Sequence, residues 1–271
     1  MKYKQNLHQH CTYCDGADSP REVIEAAIEK GFDSIGFSGH SYMYYSENHS
    51  MSLKGTEEYI KEIHALREEY KDKIDVLCGL EFDMYSEVDL TPYDYIIGSV
   101  HYLDIDGQKI GFDRSQDEVE RVINTHFGGD GMAYAKAYYE ALSRLPEYGS
   151  FQILGHPDLI AKHSENKRFF DEDSAEYRKC VTAALEKLAG KIPFFEVNTG
   201  AVARGYRTTP YPAPFILDEF KRLGFRAVIS SDCHDKRYID CGFGEAEKLL
   251  REHGFTEIYV LLNGEFVPTK I

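Results

Sequence analysis

Short apolar runs alternate with amphipathic stretches along almost the whole chain. Seven of these runs have the length and the bounding turn residues of buried strands, and most stretches between them place apolar residues at helical spacing. The predicted strands cover residues 6–10, 32–38, 74–82, 94–100, 151–155, 194–198 and 225–231. Because strands that alternate with helices form parallel sheets through right-handed crossovers, the pattern predicts an α/β fold.

Capping residues mark the boundaries of several predicted helices. Ser19, Pro20 and Glu22 form a capping box with proline at the first helical position, and this helix is expected to end at Gly31. A second capping box at Ser115 marks the start of a helical segment between the fourth and fifth strands. Further helices are predicted at residues 56–70, 132–145, 175–188, 212–223 and 244–253. The strand at 256–262 precedes an Asn-Gly turn, so the chain is expected to end in a hairpin.

Side chains that can bind metals or transfer protons stand at the ends of the predicted strands. Six of the seven strands end in His, Asp or Glu, and the sixth strand ends in Asn198. An open parallel sheet would spread these ends along a line, whereas a closed barrel would gather them into one ring. A site shared by all these side chains therefore favours a barrel of seven strands.

The composition of the strand ends is typical of a metal centre. His8 and His10 are one residue apart, so the period of two along a strand turns both imidazoles to one face. The same alternation turns Cys233 away from the face of its two neighbours. The candidates at strand ends are His8, His10, His40, Glu81, His101, His156, Asp232 and His234. Their joint occurrence predicts one shared metal site. The histidines in predicted helices or loops are interpreted as surface or structural: His49, His64, His126, His163 and His253.

Composition narrows the class of protein further. The 271 residues suit a single domain, 1–271, and the formal net charge of -15 argues against a nucleic-acid or membrane surface. No apolar stretch reaches the length of a membrane span and the first residues lack a signal-peptide core, so a cytoplasmic location is expected. Six cysteines in so long a chain do not form a disulfide scaffold. Cys11 and Cys14 form a C-x-x-C motif, which we interpret as two reduced thiols rather than a redox pair or half of a zinc site.

Together these motifs resemble the polymerase-and-histidinol-phosphatase (PHP) family, and the resemblance spans nearly the whole chain. The motifs are His8-x-His10 with Asp15-Gly16, Gly39-His40, Glu81, His101, Gly155-His156-Pro157-Asp158 and Ser231-Asp232-Cys233-His234. Segments 198–200, 204–207 and 210–212, with the tyrosines at 138 and 139, resemble the histidinol-phosphate phosphatase branch less specifically. Cys11 and Cys14 depart from the family pattern, which often has Thr and Ser there, but neither position is a metal ligand in that pattern.

The resemblance implies a distorted (β/α)7 barrel with three metal ions at the carboxyl ends of its strands. One ion would be held by His8, His10, Glu81 and Asp232. Glu81 would bridge to a second ion on His101 and His156, and the third ion would bind Asp15, His40 and His234. Mixed nitrogen and oxygen ligands suit zinc, iron or manganese better than magnesium or calcium.

The implied chemistry is hydrolysis of a phosphate monoester. Two metal ions about 3.5–4 Å apart lower the pKa of a shared water toward about 7, and the resulting hydroxide would attack phosphorus in line. Glu81 would bridge the two ions that share this water. Asp232 or His234, or a metal-bound water, would protonate the leaving alkoxide. Arg204 and Arg207, in the loop after the sixth strand, are candidate phosphoryl contacts, and Lys162 is a weaker candidate.

L-Histidinol phosphate is the leading substrate that the resemblance implies, with L-histidinol and phosphate as products and histidine biosynthesis as the setting. A PHP phosphoesterase acting on another small monoester or a nucleotide is the alternative; a polymerase-type exonuclease is disfavoured because no basic groove is evident. An amidohydrolase barrel also begins with H-x-H but usually carries a carboxylated lysine after the fourth strand, where this chain has His101. A non-catalytic barrel is disfavoured because every ligand position is filled. The oligomeric state stays open.

Overall fold

The computed structural model describes residues 3–46 and 49–271, and within them eleven strands and eight α-helices. The strands are β1 (Gln5–Asn6), β2 (Ser34–Phe37), β3 (Asp75–Asp83), β4 (Tyr95–Ser99), β5 (Tyr102–Ile105), β6 (Gln108–Gly111), β7 (Ile153–Leu154), β8 (Phe194–Asn198), β9 (Arg226–Ser230), β10 (Glu257–Leu262) and β11 (Glu265–Lys270). The helices are α1 (Pro20–Glu29), α2 (Leu53–Tyr70), α3 (Gln116–His126), α4 (Gly131–Leu142), α5 (Ala175–Leu188), α6 (Gly200–Ala203), α7 (Pro214–Leu223) and α8 (Phe243–Glu252).

Seven parallel strands form one sheet that curls into a nearly closed barrel. Their order is β1-β2-β3-β4-β7-β8-β9, so each strand pairs with the next strand of the barrel along the chain. The two edges meet just beyond β1 and β9, where Gln9 and Cys233 form a parallel bridge. The amide of His10 donates to the Cys233 carbonyl at 2.9 Å, and the Cys233 amide donates to the His8 carbonyl at 3.2 Å. The predicted (β/α)7 barrel is confirmed.

Tyr95 fills much of the space between the first four strands. Its hydroxyl donates to the carbonyl of Leu7, and its ring lies against Gly36 and Gly79. A Cβ added at Gly79 would lie 2.2 Å from the ring, and one at Gly36 would lie 2.4 Å from the hydroxyl. Glycine at both positions therefore makes room for one buried aromatic side chain, which ties β4 to the two strands at the start of the chain.

Most predicted helices are present, with local differences at their ends. The capping box at Ser19 is formed, and α5 has the predicted bounds. Helix α2 begins at Leu53 rather than at residue 56, because the side chain of Ser52 caps the amide of Gly55. The antiparallel pair β5–β6 and the short helix α6 were not predicted from the sequence. The described residues contain no helix that is long and apolar enough to cross a membrane.

The predicted C-terminal hairpin is present as β10 and β11, and it packs against the amino-terminal end of the barrel. Asn263 and Gly264 form its turn with positive φ angles of 51° and 81°. The side chain of Gln5 exchanges two hydrogen bonds with the backbone of Leu261, at 3.0 and 2.8 Å. Phe266 stacks on Phe194 with ring centroids 4.2 Å apart. The opposite, carboxyl-terminal end of the barrel stays open for the predicted site.

Candidate metal centre and active-site cavity

Glu81, on β3, lies at the centre of the ring of strand-end side chains. Only 1% of it is exposed, and five imidazoles surround its carboxylate. Oε2 lies 2.8 Å from His40 Nδ1, 3.3 Å from His8 Nε2 and 3.5 Å from His10 Nε2. Oε1 lies 3.0 Å from His156 Nε2 and 3.5 Å from His101 Nε2. The two oxygens therefore face two separate groups of histidines, as a bridging carboxylate does.

Asp232 completes the group on the Oε2 side of Glu81. Its Oδ1 lies 3.2 Å from His10 Nε2 and 3.7 Å from His8 Nε2. The residue has a positive φ of 44°, which is uncommon for a residue other than glycine and costs backbone free energy. Gly200 accommodates this turn, because a Cβ there would lie 2.8 Å from the Ser231 carbonyl and 3.0 Å from Asp232 Cβ. The strained backbone directs the carboxylate toward the two histidines of the first strand.

A third group gathers around Asp15, in the loop that follows β1. Its Oδ1 lies 3.3 Å from His234 Nε2, 3.6 Å from His10 Nδ1 and 3.7 Å from His40 Nε2. The rings of His10 and His234 stack with centroids 4.0 Å apart. The structure thus brings together all nine side chains predicted as metal ligands, and several subsets of them have ligand atoms close enough to share an ion.

The ligand atoms of this cluster lack the partners that buried polar atoms normally have. His8 Nε2, His10 Nε2, Asp15 Oδ1 and Glu81 Oε2 are all buried without a hydrogen bond. Each unpaired buried polar group costs about 1–3 kcal/mol, so four of them in one place require other partners. Imidazole nitrogen and carboxylate oxygen are also the donors that first-row transition metals prefer. The residues therefore fit divalent metal ions.

The electrostatics of the cluster show an excess of negative charge. Burial raises the pKa of Glu81 and of Asp232, but the cations and imidazoles around them outweigh burial and hold both pKa values well below the usual range. Burial likewise lowers the pKa of His8 and of His40, yet neighbouring carboxylates raise both pKa values well above normal. The carboxylates would thus draw protons onto these imidazoles in the absence of another cation.

His10 behaves differently from its neighbours. Burial and repulsion from His234 and His40 lower its pKa to about 3, so its imidazole is neutral at ordinary pH. A neutral imidazole is the form that binds metal ions. The cluster therefore has ionised carboxylates and at least one histidine already in the ligand form.

A cavity of about 360 Å³ opens from the cluster to solvent. Seven of its lining residues belong to the cluster: Asp15, His40, Glu81, His101, His156, Asp232 and His234. The other nine lining residues are Met43, His49, Tyr102, Asp113, Arg114, Leu159, Lys162, Arg204 and Tyr206. A small molecule in this cavity would contact side chains of the cluster together with aromatic and charged side chains.

Arg204 and Lys162, two of the three candidate phosphoryl contacts, line the cavity. Arg204 donates to the Asp232 carbonyl at 2.8 Å and to its carboxylate at 3.2 Å. Lys162 donates to Asp113 at 3.1 Å, and its ammonium lies 4.8 Å from the centre of the Tyr206 ring. Both side chains therefore line the open space beside the cluster, and each is paired with a carboxylate there.

Known proteins resemble the chain over most of its length. A model of the PHP domain family matches residues 6–200, which is well over half of the chain. The chain belongs to the PHP family. A Deinococcus radiodurans protein named "Probable histidinol-phosphatase" is 30% identical over 261 residues, covering 91% of this chain and 92% of the relative. The histidinol-phosphatase of Lactococcus lactis subsp. lactis is 27% identical over 273 residues, covering 95% and 93%.

Solved structures support the PHP fold. A Listeria monocytogenes crystal structure has a TM-score of 0.78 at 20% identity, covering 89% of this chain and 99% of that one. The Lactococcus lactis histidinol phosphate phosphatase, complexed with Zn, L-histidinol and phosphate, has a TM-score of 0.72 at 24% identity, covering 97% and 98%. At these identities the structures establish the shared barrel fold. Membership of the PHP family disfavours the alternative of an amidohydrolase barrel.

Arg207 is not placed where the sequence suggested. It does not line the PHP cavity; its side chain is buried and donates to the Ala161 carbonyl at 2.6 Å. It also lies 3.5 Å from the Glu172 carboxylate. The guanidinium therefore joins two loops behind the cavity wall, and the prediction of a substrate contact for Arg207 is corrected to a structural role.

The histidines interpreted as surface or structural divide into two kinds. His49 lines the cavity with its side chain 44% exposed, and its Nδ1 lies 3.7 Å from Asp15 Oδ2. His163 Nε2 donates to the Asp113 carbonyl at 3.0 Å, which is a structural contact. His64 and His126 are exposed. The position of His49 depends on the path of an irregular loop, which periodicity does not predict.

The cysteines are free thiols, as expected. Cys14 lies close to the cluster, with Sγ 3.4 Å from His10 Nδ1. Cys233 is buried, and its thiol contacts the Asp235 carbonyl at 2.8 Å, away from the neighbouring ligand side chains. Burial raises the pKa of Cys233 to about 11, so this thiol is protonated at neutral pH.

Two buried carboxylates behind the cluster were missed by the sequence analysis. Glu196, on β8, accepts from His8 Nδ1 at 2.9 Å, and Asp83, on β3, accepts from His101 Nδ1 at 3.1 Å. Both residues are at most 1% exposed. Glu196 could have been recognised, because a carboxylate inside a predicted buried strand is costly unless it has partners.

Proposed function

We propose that this PHP protein is a metal-dependent phosphomonoesterase that hydrolyses L-histidinol phosphate to L-histidinol and phosphate. The observation that carries the chemistry is the cluster of unpartnered ligand atoms, which opens into a cavity beside Arg204 and Lys162. The observation that carries the substrate is the similarity to relatives named histidinol-phosphatase over more than nine-tenths of this chain. Histidine biosynthesis is the setting in which this substrate is consumed.

We propose three divalent ions, held by the nine side chains in the groups described above. The charges at the site support this number. Five carboxylates lie in or directly behind the cluster, and Arg204 offsets one of them: Asp15, Glu81, Asp83, Glu196 and Asp232. Two divalent ions would neutralise the remaining four charges, and a third would leave two positive charges for a phosphate dianion. Lys162 and Asp113 cancel each other and do not change this balance.

The ligand atoms favour zinc, iron or manganese, and zinc is the ion in the Lactococcus lactis structure. Bound divalent ions supply Lewis acidity, which lowers the pKa of water and neutralises phosphoryl oxygens. Glu81 serves as the shared ligand at the centre, because its two oxygens face different groups of histidines. With these assignments, the reacting phosphate would bind beside Glu81 and Asp232, which line the cavity.

The protein's own groups would bind the phosphate and direct proton transfer. Arg204 and Lys162 would contact phosphoryl oxygens, since both cations line the cavity next to the cluster. Asp232 and His234 are the candidates for passing a proton from water to the leaving alkoxide, because the pKa of Asp232 is held well below its usual range and its carboxylate has no proton of its own to give. Arg204 donates to Asp232 and lies 2.7 Å from His234 Nδ1, so one guanidinium fixes both candidates.

Part of the cavity lining suits the alcohol portion of the proposed substrate. Histidinol carries an amine and an imidazole, which are cationic when protonated. Asp113 supplies a carboxylate there, whose pKa is held below its usual range because Lys162 and nearby histidines outweigh its burial. Tyr102 and Tyr206 add aromatic faces, which attract cations. A neutral sugar phosphate or a nucleotide would not use this combination as fully.

The test is phosphate release from a panel of monoesters by the purified protein. The protein is dialysed against a chelator, reloaded with zinc, manganese or iron, and assayed with histidinol phosphate, nucleoside monophosphates and sugar phosphates. We expect the highest kcat/KM for histidinol phosphate, and a higher value for another monoester would replace the substrate assignment. Elemental analysis of the loaded protein should give three ions per chain. Two ions would overturn the trinuclear proposal and leave the phosphatase proposal intact.

A further inference from the structure

Two histidines of the cluster, His8 and His101, have one ring nitrogen toward Glu81 and the other on a buried carboxylate behind the cluster. The Nε2 atoms of His8 and His101 face Glu81, at 3.3 and 3.5 Å. Their Nδ1 atoms face away from the cavity and contact buried carboxylates, Glu196 at 2.9 Å and Asp83 at 3.1 Å. A carboxylate on Nδ1 fixes the tautomer with its proton on that nitrogen, which leaves Nε2 free to bind a cation.

Glu196 is surrounded by donors only. Its Oε2 accepts from His8 Nδ1 and from the hydroxyl of Ser230. Its Oε1 accepts from the amide of His156 at 2.8 Å and from the side-chain amide of Asn198 at 2.9 Å. An ionised carboxylate is the side-chain group that accepts from all four, because a glutamine would direct its own N–H donors at one of the two pairs.

Asp83 has a similar environment around His101. Oδ2 accepts from both the amide and the Nδ1 of His101, at 3.1 Å each. Oδ1 accepts from Tyr45 and from the amide of Tyr85, at 3.2 and 3.3 Å. The carboxylate therefore holds the backbone and the ring of one residue together, which sets the direction of the Nε2 lone pair.

We propose that Glu196 and Asp83 are positioning residues that orient the metal-binding histidines and raise their basicity. The proposal rests on the metal site proposed above. Glu196 acts on His8 and His156, which belong to two different proposed ion positions, whereas Asp83 acts on His101 alone. Loss of the Glu196 carboxylate should therefore weaken two ions, and loss of the Asp83 carboxylate should weaken one.

The experiment measures zinc affinity directly, without substrate. Metal-free wild type, Glu196→Gln and Asp83→Asn are titrated with zinc in competition with a chromophoric chelator. We expect the affinity to fall about 10- to 100-fold, for two ions in Glu196→Gln and for one ion in Asp83→Asn. The matched control is Asp94→Asn, since Asp94 is also a hydrogen-bonded carboxylate, contacting Arg67 and the amide of Cys78, but touches no proposed ligand. The control should lose stability and keep wild-type zinc affinity.

Wild-type zinc affinity in both site variants would overturn the proposal, as would an equal loss in all three variants. If Glu196→Gln does not fold, nitrogen-15 NMR of the imidazoles in zinc-loaded wild type decides. His8 and His101 should carry the proton on Nδ1 and the metal on Nε2, and the reverse arrangement would refute the positioning role. A wild type that binds zinc but does not hydrolyse histidinol phosphate would refute the proposed function alone.

Discussion

Gly200→Ala tests how tightly the backbone around Asp232 must be held. The added Cβ would lie 2.8 Å from the Ser231 carbonyl oxygen and 3.0 Å from Asp232 Cβ, whereas ordinary contacts begin at 3.4 Å. Relieving these contacts requires a displacement of about 0.5 Å, which is the tolerance of a catalytic constellation. Because a shift of about 1 Å can cost 10²-fold in rate, we expect kcat/KM to fall about 10- to 100-fold. Overpacking should also cost about 1–3 kcal/mol of stability.

The assay combines phosphate release from histidinol phosphate with urea unfolding and metal analysis. The matched control is Gly244→Ala in α8, where no heavy atom lies within 4 Å of the added Cβ. This variant should keep wild-type activity and gain up to about 0.5–1 kcal/mol of stability, since alanine is the better helix former. If Gly200→Ala loses stability but keeps the wild-type kcat/KM, then the position of Asp232 does not limit catalysis and the reasoning is wrong.

Three other substitutions test separate parts of the site and the fold. Arg204→Lys keeps the charge but loses the fork that binds Asp232, so kcat/KM should fall about 10- to 100-fold while metal analysis shows full metal content. Lys162→Met should raise KM about 10-fold with little change in kcat, and an unchanged KM in initial-rate assays would remove Lys162 from the substrate site. Tyr95→Phe leaves the Leu7 carbonyl without its donor, so urea unfolding should show an unfolding free energy lower by about 1–3 kcal/mol, at unchanged activity. Wild-type stability would contradict the role of the Tyr95 hydroxyl in tying β4 to the first strands.

The gathering of the ligand side chains was predictable because it depends on regular structure. Strand alternation places His8 and His10 together, and parallel strands bring their carboxyl ends to one end of a barrel. These two rules place nearly all the strand-end side chains of the cluster without knowledge of any loop. They also account for Cys233, which the alternation turns away from the cavity.

The cavity wall was less predictable, because loops and long side chains are positioned by tertiary contacts. Arg204 and Arg207 occupy the same loop, yet one guanidinium faces Asp232 and the other is buried against the Ala161 carbonyl. Nothing in their spacing distinguishes the two, since the loop has neither the period of a strand nor that of a long helix. The same limitation applies to His49, whose place at the cavity depends on the irregular segment before α2.

The seam where the first and last strands meet coincides with the cluster. A short backbone bridge between Gln9 and Cys233 joins the two edges there, and the neighbours of both residues are proposed ligands. An ion held by His8, His10 and Asp232 would cross-link the two edges of the sheet, because Asp232 lies more than two hundred positions along the chain from the two histidines. Closure of the barrel and assembly of the metal centre would then be a single event. Separation of the two edge strands would release the ion, and a bound ion would stabilise the closed barrel.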